Sequence, residues 1–139
     1  HGLAKVDSHK LTPIVKAKLK QLIKSDFLVF KNKKSLLAMT AHIIYEDIDP
    51  SEVATHSQKV ISLIRNNIKF TDILMSDDIS MKSLKYSIKQ NTIKAFSAGC
   101  NLVLHCNGNY KELLIVAENS PLLSKFLIKK TYQLYKVIS

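Results

Sequence analysis

Apolar runs of strand length alternate along this chain with stretches of helical period. From Lys16 to Ile23, the residues Leu19, Leu22 and Ile23 fall on one face, the spacing of an amphipathic helix. Leu36–Ala41 (LLAMTA) is a short apolar run between polar neighbours, the pattern of a strand buried in a parallel sheet. Ser57 is placed to cap a helix whose apolar stripe is Val60, Ile61, Ile64 and Ile68. A second apolar run, Ile73–Met75, ends in the polar cluster Ser76, Asp77 and Asp78. The pattern next predicts a helix from about Lys82 to Ala98, stopped by Gly99. A third strand comes at Leu102–His105, ended by the turn Asn107-Gly108-Asn109. Tyr110–Glu118 reads as helical. Ser120-Pro121 reads as the start of a last helix, with Ser at the cap and Pro in the first turn, and Leu123, Phe126, Leu127 and Leu134 as its apolar face. Strands alternating with helices in this way make βαβ units, an α/β chain with a parallel sheet. Three strands do not close a barrel. They form a small open sheet or part of a larger one.

Composition refines this picture. The 139 residues suit one domain, and no linker, repeat or low-complexity tract divides residues 1–139. With 46% hydrophobic residues the chain can bury a core. A net charge of +10 invites a nucleic-acid reading, since lysines release counterions from phosphates. The lysines argue against it: Lys16, Lys18, Lys20 and Lys24 run singly, and the one dense group, Lys31, Lys33 and Lys34, has no aromatic residues interleaved for base stacking. A lysine-rich solvated surface is the favoured reading, so no nucleic-acid partner is expected. Cys100 and Cys106, close together in one apolar segment, are expected to be reduced and buried. No run reaches the ~18 apolar residues of a membrane span, and no signal-peptide pattern opens the chain. No membrane partner is expected, and the cytoplasm is the expected location.

In α/β proteins, chemistry sits just past the carboxyl ends of the strands. Those positions are Thr40, Ala41 and His42; Ser76, Asp77 and Asp78; and His105, Cys106 and Asn107. Neighbouring side chains at a strand end point apart, so Asp77 and Asp78 cannot share one role. On spacing alone a helix start is the favoured reading over catalysis. Asp7-Ser8-His9 sets a carboxylate two residues from an imidazole, which suits general acid/base work, though on spacing alone a solvated loop is the favoured reading. No His or Cys pair has zinc-site spacing, and three glycines cannot build a phosphate loop, so neither metal nor cofactor is expected.

Taken in order, these segments resemble the NagZ-type β-N-acetylglucosaminidases (β-hexosaminidases) of glycoside hydrolase family 3. His1-Gly2 followed by Asp7-Ser8-His9 is similar to the tail of that family's Gly-His-Gly loop and its Asp-Ser-His motif. Leu37–Ile43 with Asp49-Pro50, then Phe70 through Ser76-Asp77-Asp78-Ile79-Ser80-Met81, then Ala98-Gly99 before Leu102–Leu104, match the family's later strands. The likeness runs from His1 to about Leu123. Asp72 and Asn101 depart from it, standing where the family usually has Gly and Asp.

The resemblance implies the C-terminal part of a TIM-type (β/α)8 barrel, carrying the loop after strand five and then strands six to eight. It implies a retaining glycosidase acting on N-acetylglucosamine-containing muropeptides or glycosides. Asp77 would be the nucleophile, and His9 with Asp7 the acid/base dyad, with the imidazole as the acid. Asp78 would be structural. His1, His42 and Met81 would bind substrate. Strands one to five, with the arginine and aspartate that hold the sugar, are expected from elsewhere, for example a separate N-terminal half. The alternatives are a truncated, inactive remnant or split half of that enzyme, and a basic nucleic-acid-binding module.

Overall fold

A computed structural model of the chain describes residues 2–7 and 11–138. Strand β1 (Ile14–Val15) leads to helix α1 (Leu19–Lys24), and β2 (Leu37–Met39) leads to β3 (Ile44–Tyr45). Helix α2 (Gln58–Asn66), β4 (Ile73–Asp78), α3 (Ile88–Ala98), β5 (Leu102–Leu104), α4 (Tyr110–Glu118) and α5 (Lys125–Ile138) complete the order. A three-stranded parallel sheet runs β2-β4-β5, with Leu37 opposite Ile73 and Met75 opposite Leu102. The very short β1 and β3 pair beside it, also in parallel. The expected α/β class and parallel sheet are therefore present, with β2 and β5 as outer strands and no closure among the described residues.

The central strand carries the densest burial. Leu74 packs with Ile61 of α2, Ala95 and Ala98 of α3, Phe70 and Cys100. Each large aliphatic side chain buried there contributes roughly 1.5–3 kcal/mol relative to exposure. Two smaller clusters flank it, one around Val15, Leu22 and Ile43 and one around Val53, Ile79 and Leu84.

Helix ends obey local chemistry. Ser57 caps α2, as expected, by accepting the Val60 N–H at 3.2 Å, and its hydroxyl donates to buried Asp49 Oδ2 at 2.7 Å. Helix α3 starts at Ile88 and not near Lys82, because Ser87 and Gln90 form a reciprocal capping box. Gly99 ends it at φ 115°, a left-handed conformation that only glycine adopts cheaply. The last helix begins at Lys125 and not at Ser120. The Ser120 hydroxyl instead donates to the Val116 carbonyl at 2.7 Å and closes α4, while Ser124 Oγ accepts the Leu127 N–H and opens α5. Leu123 therefore lies outside the helix and is exposed, whereas Leu127 is buried. Both cysteines are free thiols. Cys100 is buried, which pushes its thiol up to about 12, but Cys106 is exposed, contrary to expectation. Among the described residues, no helix is long and apolar enough to cross a membrane.

Candidate functional site

The parallel register brings the carboxyl ends of β2, β4 and β5 side by side. Both acids of the pair lie within β4, which extends three residues further than the apolar run alone predicts. Neither caps a helix, since α3 begins ten residues beyond Asp78. Leu74 faces the packed helices α2 and α3, and the β4–β5 register shifts between Met75 and Asp78, where Asp77 lies.

The two acids differ in what holds them. Asp77 is half-buried, and its Oδ1 accepts the Asp78 N–H at 2.8 Å. Among the described residues, its Oδ2 accepts no hydrogen bond. Asp78 draws more donors: Oδ1 accepts the Ser80 N–H at 2.9 Å, the Ser80 hydroxyl at 2.7 Å and the Cys106 N–H at 3.2 Å, and the same hydroxyl lies 2.9 Å from Oδ2. Burial would push the Asp78 carboxyl up, but the Ser80 and Cys106 bonds and nearby His105 outweigh it, and the group titrates below the ordinary carboxylate range. Asp78 thus ties the end of β4 to the end of β5.

The resemblance implies a substrate-binding role for His42; in the structure its side chain is fully buried and both ring nitrogens are hydrogen-bonded. Nε2–H donates to the Asp78 carbonyl at 2.9 Å, and Nδ1 lies 2.9 Å from Thr55 Oγ1, which is also 2.8 Å from Thr40 Oγ1. Burial holds its pKa below the usual histidine value, against the pull of Asp77 and Asp78. Met81 is half-buried, and its N–H donates to the same Asp78 carbonyl at 3.1 Å.

Asp7 is exposed in the N-terminal loop, and its carbonyl accepts the Leu11 N–H at 3.1 Å. His9, its expected partner, and His1 lie outside the described residues. Just after that loop, the Thr12 hydroxyl donates to the Ser83 carbonyl, joining the Asp7 segment to the loop beyond β4. Asn91 holds the same loop from beneath, donating to the carbonyls of Ile79 at 3.1 Å and Tyr86 at 3.2 Å.

Sequence reasoning missed several of these groups. Thr55 carries no motif. The Asp-x-Ser spacing of Asp78 and Ser80 was a readable turn signal. His105, expected only as a strand-end residue, pairs with Glu112 at 2.8 Å, and Asn107 donates to the same carboxylate oxygen at 2.6 Å. Those two bonds, His105 first, hold Glu112 below the ordinary carboxylate range. No group of three or more His, Cys, Asp or Glu among the described residues is arranged to hold a metal.

A hollow of about 400 Å³ lies at the opposite, amino edge of the sheet, between Arg65, Phe70, Asn101 and Phe126. Chemistry in parallel sheets belongs at the carboxyl edge, and the groups here are engaged in holding the chain together. Arg65 donates to the carbonyls of Phe70 at 3.0 Å and Asp72 at 2.8 Å, and to Asn101 Oδ1 at 2.8 Å, which also accepts the Leu74 N–H at 2.9 Å. Asp72 pairs with Lys130 of α5. The two positions that depart from the resembled family are thus both structural staples.

Comparison with known proteins places this arrangement. The sequence model of the glycosyl hydrolase family 3 N-terminal domain matches residues 1–133. A beta-hexosaminidase of Nitrosomonas eutropha is 32% identical over 112 residues, covering 77% of this chain and 32% of the relative. One from Pseudomonas aeruginosa is 30% identical over 121 residues, covering 84% and 36%. Among solved structures, NagZ from Neisseria gonorrhoeae superimposes with a TM-score of 0.78 at 26% identity, covering 94% of this chain and 39% of that one. The chain spans about a third of the length of the curated relatives it matches.

Proposed function

This chain belongs to glycosyl hydrolase family 3, and from that premise we propose that it carries the nucleophile and acid/base of a retaining β-N-acetylhexosaminidase, releasing terminal N-acetylglucosamine from peptidoglycan fragments or related glycosides. Asp77 attacks the anomeric carbon through Oδ2 and forms a glycosyl ester as the leaving oxygen takes a proton from His9. His9 then accepts a proton from water, which opens the ester with net retention. Asp7 holds the imidazole in the tautomer this needs.

The observation that carries this reading is the contrast within the acid pair. Asp78 has its oxygens committed to Ser80 and Cys106, whereas Asp77 stands at the carboxyl end of the central strand with Oδ2 open among the described residues. Two adjacent acids serve two purposes, and of the two it is Asp77 that has an oxygen free to attack.

A second reading, a half that acts only when joined to further strands, is favoured by a different observation. Large apolar side chains are exposed toward both ends of the chain: Leu28, Val29 and Phe30 between α1 and β2, and Tyr132, Tyr135 and Val137 on α5. A partner supplying the remaining strands would cover them and bring sugar-positioning groups, whose orienting effect is worth ~7–11 kcal/mol.

A chromogenic N-acetyl-β-glucosaminide assay on the chain alone, and mixed with the N-terminal half of a homologous domain, tests both readings. Turnover in the mixture, with the β-anomer released first, is expected. No turnover in either case contradicts an active site on this chain.

A further inference from the structure

We propose that His42 is a positioning residue for the nucleophile, acting through the backbone of Asp78 and never touching substrate; the role presupposes the proposed function of Asp77. The peptide units on either side of Asp78 are held differently. Its N–H donates to Asp77 Oδ1 at 2.8 Å, so the direction of that N–H restrains the nucleophile's rotamer. Its carbonyl accepts two hydrogen bonds, from His42 Nε2–H at 2.9 Å and from the Met81 N–H at 3.1 Å. Asp78 is therefore gripped at its carbonyl while its N–H grips the nucleophile. Only the φ and ψ rotations of one residue separate the imidazole from the attacking carboxylate.

The ring can serve this purpose because its own orientation is settled. A carbonyl can only accept, so Nε2 carries the proton and Nδ1 is the acceptor for the Thr55 hydroxyl. Thr55 Oγ1, its one proton given to Nδ1, in turn accepts from Thr40 Oγ1 at 2.8 Å, so the chain of bonds begins on Thr40, just past β2. His42, Thr40 and Thr55 are all buried, and bulk water does not compete for these bonds. The end of β2 thereby sets the geometry at the end of β4. A displacement of about 1 Å in a reacting group can cost about 10²-fold in rate, and a backbone carbonyl released from its donor allows a shift of that size.

The test compares the full chain with its His42→Leu and His42→Gln variants. Long-range nitrogen NMR of the wild type should show Nε2 protonated, Nδ1 bare and the Nε2–H exchanging slowly with water. His42→Leu should shift the amide signals of Asp78 and Met81, and His42→Gln, whose side-chain N–H can reach the same carbonyl, should restore them. In the active assembly, His42→Leu should lower kcat by about 10²-fold, with KM within about threefold and the titrated number of active sites unchanged. A ring protonated at Nδ1, or amide signals of Asp78 and Met81 that do not move, overturns the clamp. A merely structural His42 would lower the melting temperature and the fraction of active sites while leaving kcat per titrated site intact, which also overturns it. If the wild-type assembly shows no turnover, the proposed function fails, and the tautomer and amide shifts decide the clamp by themselves.

Discussion

At the scale of single residues, hydrogen-bond supply separates roles that the sequence leaves mixed. Asp77 and Asp78 are identical in type and adjacent, and their different duties come from Ser80 and Cys106 donating to one and a single N–H donating to the other. The histidines differ in the same way. His42 has both nitrogens bonded, whereas His56 is buried with neither nitrogen hydrogen-bonded among the described residues, although Glu52 lies 3.9 Å from Nδ1. Burial, aided by the neighbouring His42, pushes His56 down to about 4. An unfolded histidine titrates near 6.5, so the folded chain resists protonation that the unfolded chain accepts. Stability should be at its full value above pH 6.5 and decline as the pH falls toward 4, by up to about 3 kcal/mol. Urea unfolding of wild type and His56→Leu across that range checks this: the variant should lose much of the decline, and an unchanged slope would refute the assignment.

At the scale of elements, the helix caps carry clear local energies. Replacing Ser87 by Ala removes one side of the capping box of α3 and should cost about 1 kcal/mol. Gly99→Ala forces a side chain into a left-handed residue and places its Cβ 3.0 Å from Ile61 Cγ2, for a cost of about 1–2 kcal/mol. Thermal melts of the two variants should show a loss for each, the larger for Gly99→Ala. The same elements show how much was legible in advance. The Ser57 cap, the Gly99 stop and the full extent of α4 arise from residue type and period. The start of α3 was not legible, because Met81 and Leu84 continue an apolar pattern while their N–H groups close turns onto the Asp78 and Met81 carbonyls. The two-residue pairing of β1 with β3 is too short to leave any periodic trace. The acids were readable as candidates from their place after an apolar run. The buried Thr40–Thr55–His42 chain was not, since it joins residues far apart in sequence by side-chain bonds that no spacing announces.

At the scale of the whole molecule, the open edges of the sheet and the apolar residues exposed toward both ends of the chain dominate behaviour. An apolar surface of this kind is an association surface. Sedimentation of the chain alone should reveal concentration-dependent oligomers, and addition of the N-terminal half of a homologous domain should replace them with a one-to-one complex. A strictly monomeric chain that ignores the added half would count against docking. Everything proposed for catalysis depends on Asp77 being the nucleophile, and covalent trapping examines that residue itself. The active assembly is treated with a fluorinated N-acetylglucosaminide that forms the glycosyl ester faster than it is hydrolysed, then digested and mapped by mass spectrometry. One sugar adduct is expected, on Asp77. An adduct on Asp78 or on any other residue, or turnover without an adduct, would show that Asp77 is not the attacking group.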